Sequence, residues 1–206
     1  MKFLDKLLNN IRFEKKYVLF TLVLVLLGIL TGSLFIVILD KTDKNIVIEY
    51  ITEFINNIKN NNINSLDLLK NTLLTNYIIV IIFAIIGFSF FFFPINILIL
   101  FYKSFIIGFT LSSFILTYSL KGLLLSIIYI FPHLIINILL FSLITAFTVQ
   151  NSINMIKYII KRQNINMRHY FNKYFSILLI IIIILLFTGL YESYIMPTLL
   201  KLIVNI

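Results

Sequence analysis

The chain has 206 residues, of which 61% are hydrophobic and only 12% charged, and it carries a formal net charge of +9. A soluble domain has about a quarter of its residues charged, so this composition excludes a soluble globular enzyme, a disordered tail and a nucleic-acid-binding domain. With no cysteine it also excludes disulfides, thiol catalysis and cysteine-held metal sites, and the basic excess reads as orientation relative to a bilayer rather than as a nucleic-acid footprint.

Residues 1–16 are basic and weakly amphipathic, with Phe3, Leu4, Leu7, Leu8 and Ile11 at helical spacing. The first apolar run is Tyr17–Leu39. It is longer than a signal-peptide core and no small-residue cleavage site comes after it, so it predicts a retained transmembrane helix. Inside it, Gly28 and Gly32 form a small-xxx-small motif that lets two helices approach closely, within the chain or between two copies in a homodimer.

Residues 40–72 are polar and rich in asparagine. Ile46, Tyr50, Ile51, Phe54, Ile55 and Ile58 make one apolar stripe and predict an amphipathic helix, with Glu49, Glu53 and Lys59 on its polar face. Such a helix lies on the bilayer, docks a partner or packs on the bundle; Ile51, Phe54 and Ile58 are its candidate partner-binding residues. Ser65 is read as the cap of a short second helix bearing Leu66, Leu69 and Leu73.

Four further spans come next: 77–100 with Pro94 inside it, 104–119, 123–149 and 175–195. Lys103 falls between two of them and reads as a loop residue that snorkels to headgroups. Leu120-Lys-Gly122 reads as a tight turn. Pro132 breaks the fourth span, and His133 and Asn137, one turn apart, read as a polar packing knot or a ligand site. Glu192 near the end of the last span reads as a pin bonded to backbone or tyrosine groups, with an ion relay as the rival reading. Pro197 and a short amphipathic tail close the chain. The reading is thus an all-α polytopic membrane bundle of about five transmembrane helices plus an extracytoplasmic amphipathic helix, taken as a single integral membrane domain over 1–206.

With those spans, the N-terminal side collects eleven basic and two acidic residues, and the other side six of each. The positive-inside rule then puts the N-terminus and the basic run Lys157–Lys173 in the cytoplasm, on anionic inner lipid, and the 40–72 loop and the C-terminus outside. The two histidines, His133 and His169, are far apart, and five of the eight acids fall in the 40–67 stretch. No set of groups converges for acid–base or metal chemistry, so the expectation is no catalysis, no metal and no cofactor.

The order of these motifs resembles the stage II sporulation protein M family. The residues that carry the resemblance are Leu27-Gly-Ile-Leu-Thr-Gly-Ser33, Gly87 with Pro94, Phe101-Tyr-Lys-Ser-Phe-Ile-Ile-Gly-Phe-Thr110 with its Gly108, Lys121-Gly-Leu-Leu-Leu125, Ile130-Phe-Pro-His133 and Leu190-Tyr-Glu-Ser-Tyr-Ile-Met-Pro197. Departures are Ser104 where the family pattern has glycine, His133 where it has glutamine, and a missing second proline near Ile138. The resemblance implies a non-catalytic membrane scaffold, septal during sporulation. It would hold peptidoglycan hydrolases, stage II sporulation proteins D and P, for engulfment. Two other readings compete. One is the membrane subunit of a transporter, for which Pro94, Pro132 and a coupling role of Ile153–Ile160 would speak. The other is an intramembrane enzyme, which lacks a convergent Ser/Lys, Asp/Asp or His/Glu pair.

Overall fold

The computed structural model describes residues 14–60, 64–87, 92–131, 133–160 and 167–204. The start of the N-terminal amphipathic stretch, Pro132 and the His169 side chain lie outside these, as do the Lys161, Arg162 and Arg168 side chains. The described residues form helices α1 (Lys15–Ile38), α2 (Lys41–Lys59), α3 (Ser65–Gly87), α4 (Phe93–Ile130), α5 (His133–Ile160) and α6 (Met167–Leu190). A π turn, Tyr191–Ile195, joins α6 to α7 (Met196–Val204). There is no strand among the described residues. Five stretches are long and apolar enough to cross a membrane: α1, α3, α4, α5 and Asn172–Ile203. The all-α membrane bundle with five spans therefore stands.

The boundaries of three spans do not. The stretch 77–100 is not one helix: α3 begins twelve residues earlier, at Ser65, and ends at Gly87, and a new helix starts at Phe93. Pro94 sits in the first turn of that helix, where its missing N–H is no loss. Helix α4 then runs straight through Lys103, which is thus a residue of a span and not of a loop. Hydropathy misplaced these ends because it treats polar residues as breaks. A helix keeps its own backbone bonds through a polar stretch, and here the polar side chains have a shared destination. The cap of α3 also differs: the Asn64 side chain accepts the Leu66 N–H at 3.0 Å, and Ser65 is already helical. Moving Lys103 into a span trims the basic side to ten basic residues against two acidic ones and leaves the charge asymmetry intact.

The turn expected at Leu120-Lys-Gly122 is made by Ser119. Its φ of 51° and ψ of −127° interrupt α4 and separate 93–118 from a short arm, 120–130. The arm folds back against the helix it came from. Gly122 permits this, since a Cβ there would overlap the Phe114 carbonyl. Non-glycine residues rarely hold such a backbone, at a cost of about 1–3 kcal/mol. Ser119→Gly should therefore raise stability by about 1 kcal/mol after the glycine's extra unfolded-state freedom is offset. A rise in the thermal unfolding midpoint in detergent checks this. Phe131, the residue before Pro132, is extended at φ −97° and ψ 135°, as steric conflict with a following proline requires, and α5 restarts at His133.

Helix α5 is the centre of the bundle: 67% of its membrane-length stretch is buried, against 17–39% for the other four. Helix α1 crosses α4 through small residues. A Cβ on Gly28 would lie 2.6 Å from Ser104 Cβ, one on Gly32 would overlap the Phe105 carbonyl, and one on Gly108 would overlap the Ile29 carbonyl. The Gly28–Gly32 motif thus packs within the chain, with Ser104 taking the place expected for glycine. The Ser104 hydroxyl turns back to donate to the Leu100 carbonyl at 2.7 Å. The start of α1, the start of α4 and the end of α5 meet through Tyr17, Phe93, Ala146 and Val149. Tyr174 of α6 joins them, stacked on Phe147 and donating to the Phe83 carbonyl at 2.5 Å. We call this the basic end.

At the opposite end, Ile55 and Ile58 of α2, Phe114 and Leu125 of α4, and Met196 and Leu200 of α7 form a second core. Of the predicted partner-binding stripe, Ile58 is thus buried, and Ile51 and Phe54 are half-buried against the same cluster. The apolar face of α2 is spent on the bundle, because α4 and α7 offer it an apolar seat. The π turn makes that seat. One extra residue in a turn rotates the continuing helix by about 100°, so Met196 and Leu200 continue the buried stripe of Leu185, Thr188 and Ser193 on a new side. Pro197 is the second residue of α7.

A polar cavity between the helices

The residues left unexplained by apolar packing are polar ones inside spans. From α3, Asn71, Thr72, Thr75 and Asn76 line a cavity of about 240 Å³. Its other walls carry Lys103 of α4, Leu134 and Asn137 of α5, and Glu192 of the π turn. A smaller recess of about 70 Å³ continues from Asn76, Lys103 and Asn137 toward Ile107 and Phe141. These α3 residues are the ones hydropathy assigned to the outer loop and to the edge of a span. They remain helical because α3 is capped at Asn64 and its inner stripe, Asn76, Ile79, Val80 and Phe83, is buried.

Distances fix the level of the cavity. Asn71 is about 9 Å along α3 from its capped start, and Lys103 about 15 Å along α4 from the basic end. The cavity thus begins near the α2 end of the bundle and reaches inward to the middle of the spans. Asn71 and Thr75 are exposed, whereas Asn76 and Asn137 are buried, so the mouth opens sideways at α3 and the polar floor lies within.

The charges are arranged across this space. Glu192 is 17% exposed at its side chain and lies 3.7 Å from His133 Nε2, too far for a hydrogen bond. Thr72 approaches its carboxylate, and Lys103 acts on it across the cavity. Around the Glu192 carboxylate stand Thr72, His133 and Lys103, and its charge also acts on Tyr129. Lys103, expected in a loop, is thus a second charge within the spans. Among the described residues, no ion pair within 4.0 Å joins Lys103 to an acid.

His133 is fully buried between the rings of Tyr129 and Tyr191, at centroid distances of 5.8 and 6.1 Å. Neither of its ring nitrogens has a hydrogen-bond partner among the described residues. Asn137, one turn along, accepts a 2.8 Å bond from the Thr188 hydroxyl and ties α5 to α6. The two residues therefore play different parts: Asn137 lines the cavity, whereas His133 sits between two tyrosines beside Glu192. Buried polar groups are costly unless partnered or hydrated, and Asn137 meets that need through Thr188. No group of three or more His, Asp or Glu converges among the described residues. Sequence reasoning missed Lys103, Thr72, Thr75 and Asn76. The signal for the three α3 residues was a run of Asn and Thr one turn apart at the start of an apolar stretch.

Residues 19–197 match the family described as stage II sporulation protein M. The chain belongs to that family. Neither a curated protein nor a solved structure matches it.

Proposed function

We propose that this member of the stage II sporulation protein M family is a non-catalytic membrane scaffold. In this reading it holds peptidoglycan hydrolases of the stage II sporulation D and P type outside the membrane, at the septum, for wall remodelling during engulfment. The observation that carries the reading is the setting of α2. Its apolar face is clamped on the bundle through Ile55 and Ile58, so its polar face is held in one orientation. That face bears Asn45, Glu49, Thr52, Glu53 and Asn56, with Glu49 and Glu53 exposed. A fixed acidic face on the side of lower positive charge suits an extracytoplasmic partner, with the N-terminus cytoplasmic. Docking therefore moves from the apolar stripe to the opposite side of the same helix.

The test is a pull-down from detergent-solubilised membranes of a sporulating host. The unaltered protein should recover wall hydrolases. A Glu49→Lys, Glu53→Lys double variant should recover at least about tenfold less, because reversing charges at an interface opposes a complementary partner. Its amount in the membrane should not change. Undiminished recovery would rule out this face as the docking surface.

A specific observation favours a second reading, the membrane subunit of a transporter: the polar cavity between α3, α4 and α5. Transporters place substrate sites at such depth among interrupted helices. Recovery of an ATPase without wall hydrolases in the same pull-down would select it.

A further inference from the structure

The cavity has an occupant written into its charges. Lys103 and Glu192 line the same space of about 240 Å³. Among the described residues, neither finds an opposite charge within ion-pair distance except the 3.7 Å approach of Glu192 to His133. Charges inside a span are costly unless paired or hydrated. The pair sums to zero, so a solute with net charge would leave one member uncompensated, whereas a zwitterion satisfies both. The amides of Asn76 and Asn137 flank the site with donors and acceptors for either pole.

The mouth narrows the choice of zwitterion. Asn71 and Thr75, which open it, lie on one stripe of α3 with Leu74, Ile78, Ile81 and Ile85. Those four side chains are exposed by 60, 54, 57 and 66%. The spacing 71, 74, 75, 78, 81, 85 is one helical face. It is polar toward the α2 end and apolar below, which is the profile of a lipid: headgroup above, acyl chain beneath. A water-soluble zwitterion would use the polar part of this stripe and leave the apolar part idle.

We propose that the cavity is a site for an aminophospholipid such as phosphatidylethanolamine. The ammonium lies toward Glu192, the phosphate toward Lys103, and an acyl chain runs along the Leu74–Ile78–Ile81–Ile85 stripe of α3. This site is independent of the scaffold reading, since it uses neither α2 nor any protein partner.

The experiment is native mass spectrometry of the full chain, purified in detergent, with chain-matched phosphatidylethanolamine and phosphatidylglycerol at equal concentrations. The expected result is retention of phosphatidylethanolamine several-fold above phosphatidylglycerol. Glu192→Gln should abolish that preference, and Lys103→Met should weaken retention of both lipids. Should either variant fail to fold, Thr75→Phe, at an exposed mouth position, should block retention without touching the core. Equal retention of the two lipids by the unaltered protein overturns the proposal. So does a preference that survives Glu192→Gln and Thr75→Phe. Glycerophosphoethanolamine, the soluble headgroup, serves as competitor. If it displaces the lipid at equal concentration, the apolar stripe contributes nothing and the lipid assignment fails. If it needs a large excess, the assignment stands.

Discussion

Gly108→Leu should leave almost no folded protein, and Gly108→Ala should cost about 2–3 kcal/mol, at the upper end of overpacking penalties. The reason is geometric. A Cβ at Gly108 would overlap the Ile29 carbonyl of α1, which is backbone and cannot rotate away. Gly32 is its mirror, blocked by the Phe105 carbonyl of α4. The Ser33 hydroxyl, which donates to the Gly108 carbonyl at 3.2 Å, would be pulled off as the helices part. In a bilayer this matters more than in water, because lipid removes most of the hydrophobic drive and association depends on close van der Waals contact. The Gly32→Ala, Gly108→Ala pair should be non-additive, since the first substitution already opens the interface the second would obstruct. Gly189→Ala is the control. The nearest obstacle there is Leu73 Cδ2, at 2.8 Å, the end of a flexible side chain, and the loss should stay below about 1 kcal/mol. The fraction remaining monodisperse after graded heating in detergent separates the two. Equal losses at Gly108 and Gly189 would show that the α1–α4 crossing is not the tight contact of the bundle.

That crossing also marks how far the residues alone could be read. Gly28 and Gly32 announce a close approach by their spacing, but one helix cannot say which other helix comes near. Gly108 and Ser104 complete the contact from α4, and their spacing is hidden in a run that carries a lysine. The same lysine caused the largest error. A charge in an apolar stretch reads as the edge of a span, since hydropathy averages over side chains and cannot see that Lys103 faces Asn76, Asn137 and Glu192 across a cavity. Asn71, Thr72, Thr75 and Asn76 failed for the same reason, as their polarity is explained by a tertiary neighbour absent from any local window. Ser119 gave no warning, because nothing marks a serine for positive φ. By contrast, the number of spans was legible: each of the five has at least one stretch about a bilayer thick with little charge.

The α2 stripe is the case where the pattern was legible and its destination was not, and it carries the second large effect. Ile58→Asp should cost on the order of 4–5 kcal/mol, as expected for an unpaired carboxylate forced into an apolar contact. Ile58 is 3% exposed and Ile55 2%, both seated against Phe114, Leu125 and Met196. The penalty need not unfold the spans. Helix α2 is seated on the bundle mainly through α4 and α7, with Lys44 at its start donating to the Val37 carbonyl at 3.0 Å, so its release is a local opening. Hydrogen exchange in detergent should then show α2 amides near the rate of free helix while α5 stays protected. Tyr50→Asp, at a residue 69% exposed on the same helix, should change stability by no more than about 0.5 kcal/mol. If α2 of the Ile58→Asp variant exchanges as slowly as in the unaltered protein, the apolar stripe is not what holds the helix. The comparison also decides how a loss of partner recovery is to be read. Ile58→Asp removes the platform and must abolish recruitment by any face of α2. Glu49→Lys with Glu53→Lys leaves the platform seated and changes only what it presents. A partner lost in the first variant and kept in the second would lie on the surface of α4 or α7 that α2 brings into place, rather than on α2 itself.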